Sequence, residues 1–323
     1  MKFRHTANRV LDLAPWLVLV LALCIFAFVD ARIVSADNLL VTLLQAVPVA
    51  LLGLSLFWVL LTGEIDLSAG SSVSLSAVTM GTLLSTGTGL GVSLVVGIGV
   101  CLLVGAINGF LVGALRIPSF IATLATMLML QGATLMVART GIIIVLDPTL
   151  RKFGAATMDA GVPPTLVFAL IVGLLSAYLA RQTSFGLKTY SVGSSAERAQ
   201  LAGIKVGVQR FAVFLCASIY AFFTAVVMIA RVPVVSPATG GISLLLDAIA
   251  AAVIGGTSLF GGKGTVAGVI CGAIIISLLT AALRIMGVEP SSLDLYKGLI
   301  IVLILLSDRG FALLRSMTEN VRA

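Results

Sequence analysis

Two carboxylates stand close together between apolar stretches. Glu64 and Asp66 occupy the segment Gly63–Gly70, which follows one hydrophobic run and precedes another. A charged side chain at the centre of a bilayer costs about 2.5–3.5 kcal/mol on insertion scales, so it marks a polar path or a structural support. The alternative is an interfacial position, where Asp66 or Ser68 caps the helix that begins near Ala69. We favour capping of a bent helix for Asp66 over direct contact with a ligand.

Further polar side chains are scattered within the apolar runs. Hydroxyl and amide groups there suit a hydroxyl-rich ligand, although a single Ser or Thr in a membrane helix more often bonds its own backbone. Asp247, which precedes the apolar stretch Ala248–Ala252, is the strongest candidate. Its alternative roles are a helix N-cap or a partner for Arg231. The scattered residues are Gln45, Thr123, Thr126, Gln131, Asp247, Thr257 and Ser258.

Small residues recur every four positions and form one helix face. Such a face lets another backbone approach closely, which predicts tight helix packing. Asn108 lies beside this face and must find a partner in the protein interior. The stripe consists of Gly97, Cys101, Gly105, Gly109 and Gly113.

The sequence offers little for enzymatic chemistry. The only histidine is His5, and the four cysteines are widely separated within apolar runs, so neither a metal site nor a disulfide framework is indicated. The segment Gly256–Gly264 is similar to a phosphate-binding loop. Its spacing before Lys263 is one residue too long, however, and Gly264 stands where a hydroxyl is required. We therefore expect no catalytic residue, no metal and no nucleotide site on this chain.

The composition places these residues in a membrane protein. The chain of 323 residues is 59% hydrophobic and 10% charged, with a mean hydropathy of +1.19, whereas soluble domains carry about 25% charged residues. We predict an all-α polytopic membrane protein with about ten transmembrane helices. The predicted spans are Trp16–Val29, Leu39–Leu61, Val73–Ser85, Val92–Leu115, Phe120–Val137, Leu166–Leu179, Phe211–Ile229, Leu244–Leu259, Val266–Met286 and Leu295–Leu306.

The net charge of +7 is better explained by topology than by nucleic acid binding. With the N-terminus inside and ten alternating spans, 13 of the 20 basic residues lie on the cytoplasmic side. This excess predicts that both termini are cytoplasmic. The long connection 139–164 is then external and the basic connection 181–209 is cytoplasmic.

Two similar segments suggest an internal repeat with broken helices. Gly63–Gly70 and Gly255–Gly262 both fit Gly-x-x-(Asp/Ser)-Leu-x-x-Gly, and each leads into a new helix rich in small residues. Interrupted helices at matching places indicate a transport path. The alternative is a chance alignment of two turns in a chain with 33 glycines.

A short helix is predicted within the cytoplasmic connection. Ser194 and Glu197 fit a capping box and Gly203 fits a helix stop, which gives about two turns. A helix of this length is stable only when it docks on something, either its own spans or a partner protein.

Four stretches resemble the permease family of ATP-binding-cassette importers for ribose, xylose, arabinose and related sugars. The resemblance covers roughly Asn38–Asp308 and implies a bacterial inner-membrane protein with two permease chains, identical or different. It also implies a periplasmic sugar-binding protein and ATPase subunits that bind ATP and magnesium, with Ala196–Ile204 as the coupling helix. The stretches are Gly63–Ser68, Asn108–Leu124, Glu197–Ile204 and Leu246–Gly264.

The resulting hypothesis is one transmembrane permease domain, residues 1–323, that imports a neutral pentose or hexose by alternating access. The alternatives are a sugar-like signal or a sugar alcohol as substrate, and an ion-coupled secondary transporter, which needs mid-span carboxylates that are largely absent. The residues assigned to coupling are Ala196, Glu197, Arg198, Ala199, Gly203 and Ile204. Those assigned to the pathway or its supporting bends are Asp66, Ser68, Asn108, Thr123, Asp247, Thr257 and Ser258, and those assigned to packing are Gly97, Gly105, Gly109 and Gly113.

The chain departs from the pattern of the resembled family at three places. Where family members usually have Gly-Gly-Ile-Asp-Leu-Ser, Glu64 replaces the second glycine. Leu244 and Leu245 stand in place of a frequent Tyr-Glu, and Thr280 and Ala281 in place of paired asparagines. These positions lie near the expected pathway, so the sequence leaves the particular sugar open.

Overall fold

The computed structural model describes residues 2–139, 141–155, 161–289 and 292–299, with side chains from Pro15 onward. Helices dominate this part of the chain. The first six are α1 (Lys2–Val29), α2 (Ala36–Leu61), α3 (Ala69–Ser85), α4 (Leu90–Gly109), α5 (Ser119–Ala138) and α6 (Pro148–Gly154). The next six are α7 (Pro164–Gln182), α8 (Ser184–Ser194), α9 (Ala196–Leu201), α10 (Val206–Arg231), α11 (Gly241–Ile254) and α12 (Val266–Ile285).

Short irregular elements join the long helices. A 3-10 turn covers Ala31–Val34, and α4 continues as the π-helical turn Phe110–Ala114. The two-residue strands β1 (Ile143–Ile144) and β2 (Val234–Val235) pair antiparallel. Residues 293–299 are helical as well.

The prediction of a multi-pass helical protein is confirmed, whereas the count of ten is not established by the described residues. In this part of the chain six helices are long and apolar enough to cross a membrane: α2, α4 with its π-turn, α5, α7, α10 and α12. Pro15–Val29 and α11 are shorter apolar helices. The last predicted span, Leu295–Leu306, lies mostly outside the described residues.

The core is built around α2, which packs against α10 and α12. Phe57 and Trp58 of α2 are fully buried, and the Trp58 indole donates a hydrogen bond to the Tyr220 hydroxyl of α10 at 3.2 Å. The outer helices α5 and α7 expose large apolar side chains such as Met129 and Leu174. A helix that is apolar on every side is central in the bundle, and apolar outer faces are typical of contact with lipid.

The two similar Gly-rich segments interrupt helices and contact each other. The predicted span Leu244–Leu259 is wrong at its end, because α11 stops at Ile254 and Gly256 turns the chain with φ +83°. The Gly262 amide donates a hydrogen bond to the Leu61 carbonyl at 3.0 Å, which joins the end of α2 to the segment after α11.

The long connections predicted on opposite sides lie at opposite ends of the bundle. We call the end that holds Leu61, Gly262, α8 and α9 the α9 end. The other end holds β1, β2 and α6, with Ile143 and Val145 packed beside Gly81 near the end of α3. Neither connection is unstructured, since residues 139–164 contain β1 and α6, and residues 181–209 contain α8 and α9.

Candidate functional site

The predicted short helix is present as α9, but its capping residue differs. The Ser195 hydroxyl accepts a hydrogen bond from the Arg198 amide at 3.2 Å, whereas the Ser194 hydroxyl donates to the Ser191 carbonyl at 2.9 Å and closes α8. The capping box assigned to Ser194 is therefore wrong, because the extended backbone that an N-cap needs (φ −169°, ψ 111°) occurs at Ser195. The predicted stop is confirmed, since Gly203 turns the chain with φ +82°.

α9 is held by few contacts and borders an open groove. Ala199 is its only buried residue, and Leu201 is 84% exposed. The groove, about 810 Å³ in volume, lies between α9, the end of the π-turn and the start of α10. The charged side chains that line it are Arg116, Glu197, Lys205 and Arg210. A helix this short is stable only when it docks on something, and within the chain only Ala199 of α9 is buried.

α8 connects α9 to both interrupted segments. Gly193 lies so close to the Leu61 carbonyl and the Gly262 amide that a β-carbon has no room there. The Tyr190 hydroxyl donates a hydrogen bond to the Gly264 carbonyl at 2.8 Å, and burial raises the pKa of this phenol. The end of α8 is therefore fixed on the two loops that terminate α2 and precede α12.

Two of the predicted site residues belong to this junction. Thr257 is buried beside Gly264, and its hydroxyl has no hydrogen-bond partner among the described atoms. The Ser258 amide donates to the Lys263 carbonyl at 3.0 Å, which closes the loop. Both residues lie at the α9 end, away from the cavity that contains Asp247.

The connection between α2 and α3, residues 62–68, is called here the extended segment, and its backbone donates hydrogen bonds to side chains of α5. The Ile65 amide donates to the Ser119 hydroxyl at 3.0 Å, and the Leu67 amide donates to the Thr123 hydroxyl at 3.1 Å. Ser119 and Thr123 lie one helical turn apart, which matches the two-residue repeat of an extended chain. These hydroxyls satisfy backbone groups that a broken helix leaves without partners.

Asn108 completes this support from α4. Its amide nitrogen donates to the Ser68 hydroxyl at 2.7 Å, and its oxygen accepts from the Thr126 hydroxyl at 2.8 Å. The Asp66 carboxylate accepts from the Ser68 hydroxyl at 2.6 Å and from the Ser68 amide at 2.8 Å. The carboxylate thus lies at the start of α3, while the Ser68 side chain makes no capping bond of its own.

Glu64, in the same segment, faces the start of α10. The Arg210 Nε atom lies 2.8 Å from Glu64 Oε1, and both side chains are largely covered. The two groups form an ion pair, but the N–H of Arg210 Nε is not aligned for a hydrogen bond, because this atom has no hydrogen-bond partner within the described structure.

A polar cavity of about 880 Å³ lies among α2, α3, α5, α10, α11 and α12. Sequence reasoning named Gln45, Gln131 and Asp247 among its lining residues, and it placed Leu244 and Thr280, which also line the cavity, near the expected pathway. It missed Ser74, Thr134 and Lys297; Thr134 follows Gln131 by three positions on α5, a spacing that places both on one face. The hydroxyl and amide residues of the lining are Gln45, Ser71, Ser74, Gln131, Thr134, Ser243, Ser277 and Thr280, and the charged ones are Arg231, Asp247, Arg284 and Lys297.

Asp247 is paired within the cavity wall by a distant residue. Its carboxylate oxygens lie 3.0 and 3.1 Å from the Lys297 ammonium, which also lies 3.5 Å from Asp294. The predicted roles as an N-cap or a partner of Arg231 are wrong. Asp247 is inside α11, and the Arg231 guanidinium donates instead to the Leu44 carbonyl. Asp247 and Lys297 are 50 residues apart in sequence, so no local sequence pattern predicts this pair.

The glycine stripe of α4 faces its neighbours at close range. At Gly109 a β-carbon would meet Phe211 of α10 at 3.0 Å, and at Gly105 it would meet the Phe214 carbonyl at 2.8 Å. Gly113 contacts Gly207 of α10 in the same way, and Gly97 faces Met80 of α3. The stripe therefore brings α4 against α10 and α3, which holds Asn108 in position between α3 and α5.

Known proteins resemble the chain over most of its length. The family described as "Branched-chain amino acid transport system / permease component" matches residues 38–307. The ribose import permease protein of Bacillus subtilis is 31% identical over 307 residues, which cover 94% of this chain and 95% of that protein. No solved structure matches the chain.

Two further relatives are named for other ligands. The fructose import permease protein of Rhizobium meliloti is 31% identical over 321 residues, 95% of this chain and 88% of that protein. The autoinducer 2 import system permease protein of Salmonella paratyphi B is 30% identical over 288 residues, 88% of this chain and 83% of that protein.

Proposed function

The chain belongs to the transport-system permease family, among the sugar import permeases of ATP-binding-cassette transporters, and from this premise we propose that it imports a neutral monosaccharide of the pentose or hexose type by alternating access. The observation that carries the proposal is the polar cavity. Its volume of about 880 Å³ is within the range of about 300–1,000 Å³ common for small-molecule sites. The cavity wall offers hydroxyl and amide groups, which are suitable partners for sugar hydroxyls.

The proposed assembly places this chain between three kinds of partner in a bacterial inner membrane. An ATPase subunit holds ATP and magnesium and docks at α9, a periplasmic binding protein delivers the sugar, and a second permease chain completes the membrane part. About ten spans with both termini in the cytoplasm place the α9 end on the cytoplasmic side. Exposed Leu201 and the adjacent groove support α9 as the docking element.

Two alternative functions differ from the proposal in substrate or in energy source. The similarity to an autoinducer 2 import permease keeps a sugar-like signal as an alternative substrate, beside a sugar alcohol. An ion-coupled transporter needs a titratable group that is free to take up an ion in its pathway. The one carboxylate among the described residues of the cavity wall, Asp247, is already paired with Lys297, which disfavours this mechanism.

The test is uptake into proteoliposomes that contain the chain, its ATPase and its binding protein. A ligand screen on the binding protein first identifies the sugar. Uptake of that labelled sugar is then expected to require ATP and magnesium and to persist with an ionophore present. Uptake that continues with a hydrolysis-deficient ATPase but stops with the ionophore contradicts the proposal and supports the ion-coupled alternative.

A further inference from the structure

The ion pair between Glu64 and Arg210 occupies a junction between two parts of the molecule. Their side chains are 12% and 26% exposed, so this pair is screened less than an exposed one. Within the described residues, Arg210 is the one basic side chain at ion-pair distance from Glu64.

Short connections join Arg210 to α9. It is the fifth residue of α10, and four residues, Ala202–Lys205, separate α9 from α10. The Ile204 amide donates to the Ala199 carbonyl at 3.0 Å, which fixes this connection on α9. Gln209 donates to the Thr189 hydroxyl of α8 at 2.8 Å. The helices α8 and α9 and the first turn of α10 therefore form one connected unit.

Glu64 belongs to the extended segment that leads to the cavity. From Glu64 the chain runs through Ile65 and Leu67, which α5 binds, to α3. The Ser74 hydroxyl of α3 donates to the Thr239 carbonyl and accepts from the Gly241 amide at 3.1 Å. Gly241 begins α11, the helix that carries Asp247, and Ser74 itself lines the cavity.

We propose that the Glu64–Arg210 ion pair is a latch that transmits displacement of α9 to the extended segment, and through α3 to α11 and the cavity. This inference rests on the proposed function. When the ATPase moves α9, Arg210 pulls the Glu64 end of the segment with it, and the opposite end shifts the contacts around Ser74. Both side chains are positioning residues, since neither lines the cavity.

The decisive measurement is the number of sugar molecules imported per ATP hydrolysed in the reconstituted complex. Glu64→Gln keeps the size of the side chain and removes its charge. We expect this ratio to fall at least about fivefold, the lower end of typical coupling between sites, while ATP hydrolysis continues. A charge swap, Glu64→Arg with Arg210→Glu, is expected to recover most of the loss. Asp37→Asn, at an exposed residue in the first turn of α2, is the control and keeps the wild-type ratio.

The Arg210 variants test the latch independently of the stability of Glu64→Gln. Arg210→Lys keeps the charge, so we expect the number of sugar molecules imported per ATP to stay near the wild-type value. Arg210→Gln removes the charge, so we expect this number to fall as it does in Glu64→Gln. Equal ratios in wild type, Glu64→Gln and Arg210→Gln overturn the latch, and so does a charge swap that assembles with the ATPase yet remains uncoupled. A wild-type complex with no ATP-dependent uptake overturns the proposed function instead, so the two failures are distinguishable.

Discussion

At the scale of single residues, buried polar side chains are placed by partners that are distant in sequence. The sequence predicts that Asn108 needs an interior partner, and the structure supplies Thr126 and Ser68, which are 18 and 40 residues away. The sequence shows that a buried amide must be satisfied, since an unpaired one is costly. It cannot show which hydroxyls satisfy it, because that depends on how α3, α4 and α5 pack.

The Asn108 network predicts a stability effect. Asn108→Leu removes the two buried hydrogen bonds that Asn108 makes with Ser68 and Thr126, while the Ser68 hydroxyl keeps its bond to Asp66 and the Thr126 hydroxyl its bond to the Ala122 carbonyl. Each lost hydrogen bond contributes about 0.5–1.5 kcal/mol, so we expect a fall in the midpoint of thermal unfolding of the purified chain in detergent. Ser85→Ala removes an exposed hydroxyl that bonds only its own helix, and should leave the midpoint nearly unchanged. Equal midpoints for the two variants contradict the assigned role of Asn108.

The Asp247–Lys297 pair predicts a second effect at the same scale. Lys297→Met removes the positive partner and leaves the Asp247 carboxylate in the cavity wall without it. Removing one partner of a fully buried pair typically costs about 3–5 kcal/mol; this pair is part-buried in a cavity wall, so we expect a smaller cost and a measurable fall in the yield of folded protein. The double variant Asp247→Leu with Lys297→Met should recover much of that yield, because replacement of both charges is far less costly. A double variant that is no better than Lys297→Met contradicts this pairing.

At the scale of elements, the sequence predicts the presence of short helices better than their boundaries. The motif around Glu197 and Gly203 predicts α9. Because Ser194 and Ser195 are adjacent and either could be the N-cap, the motif does not determine at which residue the helix begins. Local spacing favours Ser194, whereas the structure uses Ser195, because Ser194 still belongs to α8. The sequence analysis does not predict α8, because this helix is held by contacts between residues distant in sequence. These are the close approach of Gly193 to Leu61 and the hydrogen bond from Tyr190 to Gly264.

The geometry of Gly203 predicts the effect of a proline there. Proline fixes φ near −65° and has no amide hydrogen, whereas Gly203 has φ +82° and its amide donates to the Gln200 carbonyl at 3.0 Å. Gly203→Pro should therefore displace α9 while leaving membrane insertion intact. We expect ATP-dependent uptake to fall at least about tenfold, which corresponds to about 1.4 kcal/mol, with reduced co-purification of the ATPase.

Gly87→Pro is the matched control for this prediction. Gly87 also has positive φ (+84°), and its amide donates to the Leu84 carbonyl at 3.2 Å, but it follows α3 at the opposite end of the bundle. Its proline variant should retain the ATPase during purification. Normal coupled uptake by Gly203→Pro, or equal loss of the ATPase from both variants, contradicts the assignment of α9 to coupling.

At the scale of the whole molecule, composition predicts the helical membrane architecture but not the meeting points of its segments. Apolar runs define α2, α4, α5, α7, α10 and α12 because crossing lipid demands both length and hydrophobicity. The contact between Leu61 and Gly262 and the strand pair of Ile143 with Val235 join residues far apart in sequence. The cavity depends on such contacts, which explains why only part of its lining was predicted.

The proposed orientation leads to a prediction for the whole chain in its membrane. With both termini inside, the exposed residues Arg151, in α6, and Lys263, in the loop before α12, lie on opposite sides. Single cysteines at these positions should react differently with a membrane-impermeant thiol reagent in intact cells. Arg151→Cys should be labelled above the background of the parent chain and Lys263→Cys should not, whereas both should be labelled after the membrane is permeabilised. The opposite pattern would place α9 outside, where no ATPase can reach it, and would remove the physical basis for ATP-driven import.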